Sequence, residues 1–184
     1  MRMIIAPAKQ MKVDTDTFPC SDLPAFLDRA ELLKDYLNSL SLEEQKRAAK
    51  FLCEEVGFSK DVGMEILEVD SGYCKGRVLL EKRHMNPINT VHGGVFFALA
   101  DTICGIAAAS TGHGGPTVQG DMDYLRAVRG KEIVCTANVI KTGKTLTWVE
   151  GTISDDTGRE VAKTKFIYYR LKESRHFGFE SIEE

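Results

Sequence analysis

The sequence predicts an α+β fold, in which one antiparallel sheet curls around a single helix. Strand-like patterns lie on both sides of one long apolar stretch, at about residues 93–110, and turn-forming residues separate the strand patterns. With 43% hydrophobic residues, the chain can bury a substantial core. A helix that is apolar nearly all round must be enclosed, and a curved sheet is the layer that would enclose it.

The first part of the chain, residues 1–50, is expected to be a small helical extension. Apolar residues recur at helical spacing between Leu23 and Leu37. A second helix is predicted from Ser41, which stands three residues before Glu44 in a capping-box pattern, to roughly Val56. The main domain is then predicted over residues 51–172, and residues 173–184 form a charged tail.

The main domain is expected to begin with two strands. Met64 to Val69 is the first strand, a turn follows at residues 70–72, and Tyr73 to Leu80 is the partner. Residues 81–92 are polar and irregular, with a turn at Asn86-Pro87. After the helix, which ends in a glycine-rich loop, an antiparallel meander of four strands is predicted over residues 117–128, 132–141, 145–153 and 159–170.

Composition excludes several classes of partner. A net charge of -3 gives no basic footprint for nucleic acid. The longest apolar region, residues 95–109, is shorter than the ~18 residues of a membrane span and contains Asp101. The odd number of cysteines, five, favours reduced thiols in the cytoplasm. No metal site is expected, because the four histidines lack ligand spacing: His84 and His113 are interpreted as loop residues, His176 as a tail residue.

One carboxylate interrupts the apolar helix. Apart from Cys104, Asp101 is the only ionisable side chain between residues 93 and 109. Burying an unpaired carboxylate is costly, so such a group is kept where it pairs or catalyses. Two interpretations stay open at this point: Asp101 is catalytic, or it lies on a solvent-facing seam or pairs with an arginine across an interface.

The start of the helix, His92-Gly93-Gly94, is the second candidate feature. Backbone N–H groups at a helix N-terminus can bind an anion, as an oxyanion hole does. The alternative is a glycine pair required for tight packing. Gly93 and Asp101 are eight residues apart, which is about 12 Å along a helix. If both act on one carbonyl group, two helices must lie antiparallel across a two-fold axis, and the protein must be at least a dimer.

The run from Asn86 to Asp101, NPINTVHGGVFFALAD, resembles the signature of PaaI-type hotdog thioesterases: an Asn, His-Gly-Gly six residues later, and an acid nine residues after the His. The similarity extends from about Met64 to Leu171. It implies the hotdog fold and hydrolysis of a small or aromatic acyl-CoA thioester. It also implies a homodimer or a tetramer built from dimers, and no cofactor, because coenzyme A is part of the substrate.

The resemblance also implies site residues. Asp101 is expected to be the general base or the nucleophile, and the Gly93 N–H to polarise the thioester carbonyl. Asn86 would help to hold the water or the thioester, His92 would orient the site, and Thr117 would help to position the water.

Other residues are candidates for contact with the substrate. Gly94 and Cys104 are expected to line the site, Cys104 as a packing residue on the face of Asp101. Basic residues near strand ends could hold the phosphates of coenzyme A or belong to a solvated charged edge; they are Arg126, Arg129, Lys141 and Lys144.

About residues 1–47 resemble the N-terminus of the YaaA peroxide-stress family, through Met3 to Met11 and Leu23 to Leu27. This is a fragment of that family's length, so no activity is inferred from it. Two other functions are considered for the main domain: a non-catalytic acyl-CoA-binding hotdog domain and a hotdog dehydratase. The retained acid disfavours the first, and the spacing from His92 to Asp101 fits a thioesterase better than a dehydratase.

Overall fold

The computed structural model describes residue 54 and residues 57–112 and 114–170. Apart from residue 54, the predicted N-terminal helices lie outside these residues, as do His113 and the predicted tail with His176. The predicted division into an extension, a main domain and a tail stays a prediction. None of the helices in the described ranges combines the length and the apolar character needed to cross a membrane.

The described chain contains helix α1, two strands, a 3-10 helix, the long helix α2, and four further strands. Their bounds are α1 Gly57–Val62, β1 Met64–Asp70, β2 Tyr73–Leu79, the 3-10 helix Lys82–His84, α2 Gly93–Ala109, β3 Thr117–Tyr124, β4 Glu132–Thr142, β5 Leu146–Asp155 and β6 Glu160–Tyr169. The predicted order and the long helix are confirmed. The strand expected over residues 117–128 is shorter and ends at Tyr124.

The six strands form one antiparallel sheet in the order β1-β2-β4-β5-β6-β3. The prediction of a simple four-strand meander is therefore wrong for β3, which pairs with β6 and not with β4. Helix α2 intervenes between β2 and β3 and packs across the sheet, so the chain enters β3 at the far edge. The place beside β2 is left for β4.

Helix α2 packs against the inner face of the sheet and contacts all six strands. Leu99, Ile103 and Cys104 are fully buried on this side of the helix. Two strands carry glycine where the helix comes closest: a Cβ at Gly76 would collide with Ile103, and one at Gly151 would lie 3.1 Å from the Cys104 sulfur. The α+β prediction of a sheet around one apolar helix is confirmed.

The opposite side of α2 is only partly covered by the residues that the structure describes. Phe97 is 37% exposed, and Asp101, Thr102 and Gly105 are half-buried. The sheet therefore encloses one side of the helix as expected, and the described residues leave this second side partly open. Within the described chain, Asp101 lies on a partly open seam of α2, which agrees in position with one of the two interpretations of its charge.

Candidate active site

Asn86 shapes the loop that leads into α2. Its Oδ1 accepts hydrogen bonds from the backbone N–H groups of Ile88 and Thr90, each over 3.1 Å, and its Nδ2 donates to the Thr90 hydroxyl over 2.8 Å. Asn89 completes the loop with a φ of 58°, a conformation that asparagine tolerates better than most residues. The Asn86 side chain is thus engaged by its own loop, and its predicted contact with water or thioester stays a prediction.

His92 is the N-cap of α2, and its side chain makes the backbone N–H groups of the two following glycines different. Its Nδ1 accepts a hydrogen bond from the Gly94 N–H over 2.9 Å. The Gly93 N–H, by contrast, has no acceptor within the described ranges. An N–H at the first turn of a helix is available to an oxygen that develops negative charge. The geometry therefore favours Gly93 over Gly94 as the oxyanion donor.

The helix start opens into a cleft of about 520 Å³. Tyr124, at the end of β3, forms one wall: its hydroxyl donates to the Gly93 carbonyl over 3.1 Å, and its ring packs edge-on against Phe96. Arg126 also lines the cleft. The full lining is Val91, Gly93, Gly94, Phe96, Tyr124, Leu125, Arg126 and Ala127. The mixture of apolar walls with one cation suits an acyl chain or a pantetheine arm next to a charged group.

Asp101 has two hydroxyl partners, which come from adjacent strands. Thr117 Oγ1 donates to Asp101 Oδ1 over 2.8 Å. The Tyr168 hydroxyl donates to the Asp101 backbone carbonyl over 2.7 Å and lies 3.2 Å from Oδ1. The structure thus brings together the predicted residues Asp101 and Thr117. It places the threonine hydroxyl on the carboxylate, whereas the predicted contact of Thr117 was with water.

Two tyrosines of the site were not foreseen, Tyr124 and Tyr168. Tyr168 is only 3% exposed, and it alternates with Phe166 on the inner face of β6. A signal was present in the sequence, because a tyrosine on a buried face must find a partner for its hydroxyl. The identity of that partner could not be read from the sequence.

The two halves of the site do not meet within one chain. Asp101 is absent from the lining of the cleft at Gly93, and the eight residues between them along α2 correspond to about 12 Å. The separation predicted from the spacing is therefore present in the fold.

The remaining candidates lie apart from the cleft. Cys104 is fully buried, and its hydrogen bond with Cys135, followed by burial, raises the pKa of its thiol well above the usual range. A thiol in that state packs and does not attack.

The basic candidates also lie away from the cleft, apart from Arg126. Lys144 is exposed in the turn between β4 and β5, and Lys141 lies 5.4 Å from the Trp148 ring. Arg129 donates to the Asn89 carbonyl. In the described ranges, no cluster of three or more metal-binding side chains occurs.

The interpretation of His84 as a loop residue is wrong. It ends the 3-10 helix and is 3% exposed; its Nδ1 accepts from the Glu81 N–H, and its carbonyl accepts from the His92 N–H. Neither the pattern of apolar and polar residues around His84 nor any motif spacing predicted that its side chain is buried. His84 thus links the 3-10 helix at the start of the loop to His92, the N-cap of α2.

His84 should make stability depend on pH. Burial, and then the nearby Arg83, lower the pKa of His84 below its ordinary value of 6.5. The unfolded chain therefore takes up a proton at a higher pH than the folded protein does. Its contribution to stability is present above pH ~6.5 and is lost as the pH falls below that value. Urea unfolding at neutral and at acidic pH should show this loss in wild type and a smaller loss in His84→Gln. Equal losses in the two proteins would contradict the assignment.

Comparisons with known proteins establish the family. The model of the thioesterase superfamily matches residues 88–162. A candidate esterase of Archaeoglobus fulgidus is 31% identical over 110 residues, which cover 59% of this chain and 71% of that protein. The chain belongs to the thioesterase superfamily. The predicted enzyme class, a thioester hydrolase, is thereby confirmed.

Further relatives of this superfamily member agree. Human acyl-coenzyme A thioesterase 13 is 38% identical over 94 residues, 49% of this chain and 66% of that protein. The structure of Escherichia coli PaaI, at 23% identity, has a TM-score of 0.66 and covers 72% of this chain and 95% of that one. The predicted hotdog fold is confirmed, and the narrower PaaI-type assignment stays a prediction.

A second structure, a hypothetical thioesterase of Streptococcus pneumoniae with coenzyme A, has a TM-score of 0.57 at 26% identity. It covers 59% of this chain and 85% of that one. For the N-terminal part, a UPF0246 protein of Lactobacillus helveticus is 48% identical over 44 residues, 24% of this chain and 17% of that protein. The predicted resemblance to a YaaA fragment is supported to that extent.

Proposed function

We propose that this member of the thioesterase superfamily hydrolyses a small or aromatic acyl-CoA to the free acid and coenzyme A. The proposed compartment is the cytoplasm, which fits cysteines that form no disulfide within the described residues. The observation that carries the proposal is the pair of groups on α2: a carboxylate held by hydroxyls at Asp101, and an N–H without an acceptor at Gly93. The CoA-bound relative and the human acyl-CoA thioesterase support the substrate class.

The two groups suit the two charges of the reaction. As a general base, Asp101 takes a proton from water while the water oxygen bonds to the thioester carbon, and the carbonyl electron pair moves to its oxygen. The Gly93 N–H stabilises that oxyanion. Collapse of the intermediate breaks the C–S bond, and the departing thiolate takes the proton from Asp101. As a nucleophile, Asp101 would instead form an anhydride and release the thiolate, and water would then cleave the anhydride.

The proposed site needs two chains, with Gly93 of one subunit facing Asp101 of the other. The fold offers a surface for such a pairing. Strand β3 is an edge of the sheet, and one of its sides has no strand partner among the described residues; unpaired edges readily add another strand. Three apolar residues at or just after β3 are exposed, namely Val118 (57%), Tyr124 (54%) and Leu125 (46%). The partly open side of α2, with Phe97 and Asp101, is available to a partner helix.

The test combines activity with mass in solution. The full chain should release thiol from at least one of a panel of acyl-CoA thioesters with short, medium and aromatic acyl groups, and it should scatter light as a dimer or tetramer. Binding of the panel without thiol release would favour the non-catalytic alternative. A monomer that turns over substrate would contradict the shared site and leave the activity intact.

A further inference from the structure

The hydrogen bonds at Asp101 distinguish its two carboxylate oxygens. Oδ1 accepts from Thr117 over 2.8 Å and lies 3.2 Å from the Tyr168 hydroxyl. Oδ2 receives no hydrogen bond from any residue in the described ranges. One oxygen is therefore held by the protein, while the lone pairs of the other remain available.

A bulge in β3 produces this arrangement. From Gly120 to Tyr124 the register places Gly120 opposite Phe166 and Met122 opposite Thr164, both on the inner face of β6. Strict continuation would place Val118 opposite Tyr168 and turn Thr117 to the outer face. The register instead shifts between Thr117 and Gln119, and Thr117 pairs with Tyr168. An extra residue in a strand re-aims a side chain in this way. Both hydroxyls therefore converge on Asp101.

The tyrosine is anchored more firmly than the threonine. Its ring stacks on Phe166 and faces Gly105, one turn along α2 from Asp101, where a Cβ would lie 3.4 Å from the ring. Its hydroxyl donates its single proton to the Asp101 backbone carbonyl over 2.7 Å, with Oδ1 as a second acceptor at 3.2 Å, so the contact holds the helix turn as well as the side chain. Burial raises the pKa of the Tyr168 hydroxyl well above its usual range, and the nearby Cys104 and Asp101 raise it further. The phenol thus stays a hydrogen-bond donor throughout the neutral range.

We propose that Tyr168 is a positioning residue for the thioesterase reaction: together with Thr117 it holds Oδ1 of Asp101, so that Oδ2 is the oxygen that acts on the water or the thioester. This inference rests on the proposed function of Asp101 and adds a residue and an atom to it. A carboxylate that could rotate freely would present Oδ2 in the reactive direction for only part of the time, which costs catalytic efficiency.

The test removes one hydroxyl at a time. Tyr168→Phe keeps the buried ring, and Thr117→Val keeps the size and shape of threonine. Each variant should lower kcat by roughly ten- to a hundredfold, as expected for a lost hydrogen bond to a charged group. KM should stay unchanged, because the proposed contacts are with Asp101 and not with the substrate. Thr117→Ser, which keeps the hydroxyl, should restore most of the activity.

Tyr169→Phe is the matched control. Tyr169 is the next residue of β6, it is 37% exposed, and its side chain is on the other face of the sheet. Its replacement should leave kcat and KM at their wild-type values. In an Asp101→Asn background, Tyr168→Phe should have no further effect, because a positioning residue loses its role when the group that it positions is gone. A full, additive loss in that double variant would overturn the proposal.

A measurement on the resting enzyme separates this inference from the proposed function. The carboxyl carbon of Asp101, observed by NMR in protein labelled with ¹³C-aspartate, should shift in Tyr168→Phe and not in Tyr169→Phe. An unchanged signal in folded Tyr168→Phe would refute the positioning contact. If Tyr168→Phe does not fold, Thr117→Val tests the shared contact at Oδ1, and an unchanged signal in that variant would refute the proposal that the two hydroxyls hold this oxygen. If the signal shifts in Tyr168→Phe but the wild-type protein hydrolyses no thioester, the proposed function is refuted and the positioning contact is supported.

Discussion

Replacing Asp101 with asparagine is expected to lower kcat for acyl-CoA hydrolysis by about 10²- to 10⁴-fold, the usual contribution of a general base. The larger end of this range applies if Asp101 is the nucleophile, because the amide cannot form the covalent intermediate. The substitution preserves the shape of the side chain, and asparagine can still accept from Thr117 and Tyr168. The fold should therefore survive, and circular dichroism and light scattering should match those of wild type.

Two further variants make the expected result specific. Asp101→Glu restores the charge and moves it outward by one methylene, so it should recover only part of the activity lost in Asp101→Asn. Asp123→Asn is the matched control, because this carboxylate is exposed on β3 and belongs to neither half of the proposed site. Thiol release by Asp101→Asn at the rate of wild type would contradict the assignment of Asp101 and, with it, the mechanism.

The elements of this fold could be predicted because their signals are local. The turn at residues 70–72 and the glycines after α2 gave strand and helix ends within a few residues of the observed ones. The position of β3 could not be predicted in the same way. Its pairing with β6 depends on how the chain passes over the sheet with α2, and nothing in the residues of β3 records that path.

The features of the candidate site differ in the same way: some follow from local sequence, and others depend on contacts between distant segments. The positions of Gly93 and Asp101 on one helix, and the distance between them, follow from sequence spacing alone. The preference for Gly93 over Gly94 needed the hydrogen bond from Gly94 to His92 Nδ1, which depends on a side-chain rotamer. The contact of Thr117 with Asp101 needed the bulge in β3, and the role of Tyr168 needed the register that this bulge creates. Contacts between distant segments depend on how those segments pack together, and the residue pattern of one segment does not specify that packing.

Replacing Gly93 with proline is expected to lower kcat by about 10²- to 10³-fold, the typical cost of removing one oxyanion donor. Gly93 is the first residue of α2, where proline is well tolerated, because its missing N–H has no partner within the helix. The preceding residue, His92, has φ -66° and ψ 136°, the extended conformation that a following proline requires. The substitution thus deletes the proposed donor with little change to the backbone.

Gly93→Ala is the matched control, because it adds a methyl group and keeps the N–H. The new Cβ would lie 3.4 Å from the Tyr124 ring and hydroxyl, an ordinary contact distance. Activity close to wild type in Gly93→Ala, with a large loss in Gly93→Pro, would assign the effect to the N–H. Equal losses in both variants would instead point to crowding against Tyr124 and would argue against an oxyanion donor at this position.

The two inactive variants together test whether the site is shared. In a dimer of one Asp101→Asn chain and one Gly93→Pro chain, one site combines an intact Gly93 with an intact Asp101, while the other site lacks both. Co-expression of the variants at equal amounts, with random pairing, should therefore recover about a quarter of the wild-type activity. The same fraction holds for a tetramer built from such dimers. If each chain held a complete site, every site in the mixture would carry one defect, and no activity would return. Recovery would thus mean that Gly93 and Asp101 of one site come from different chains.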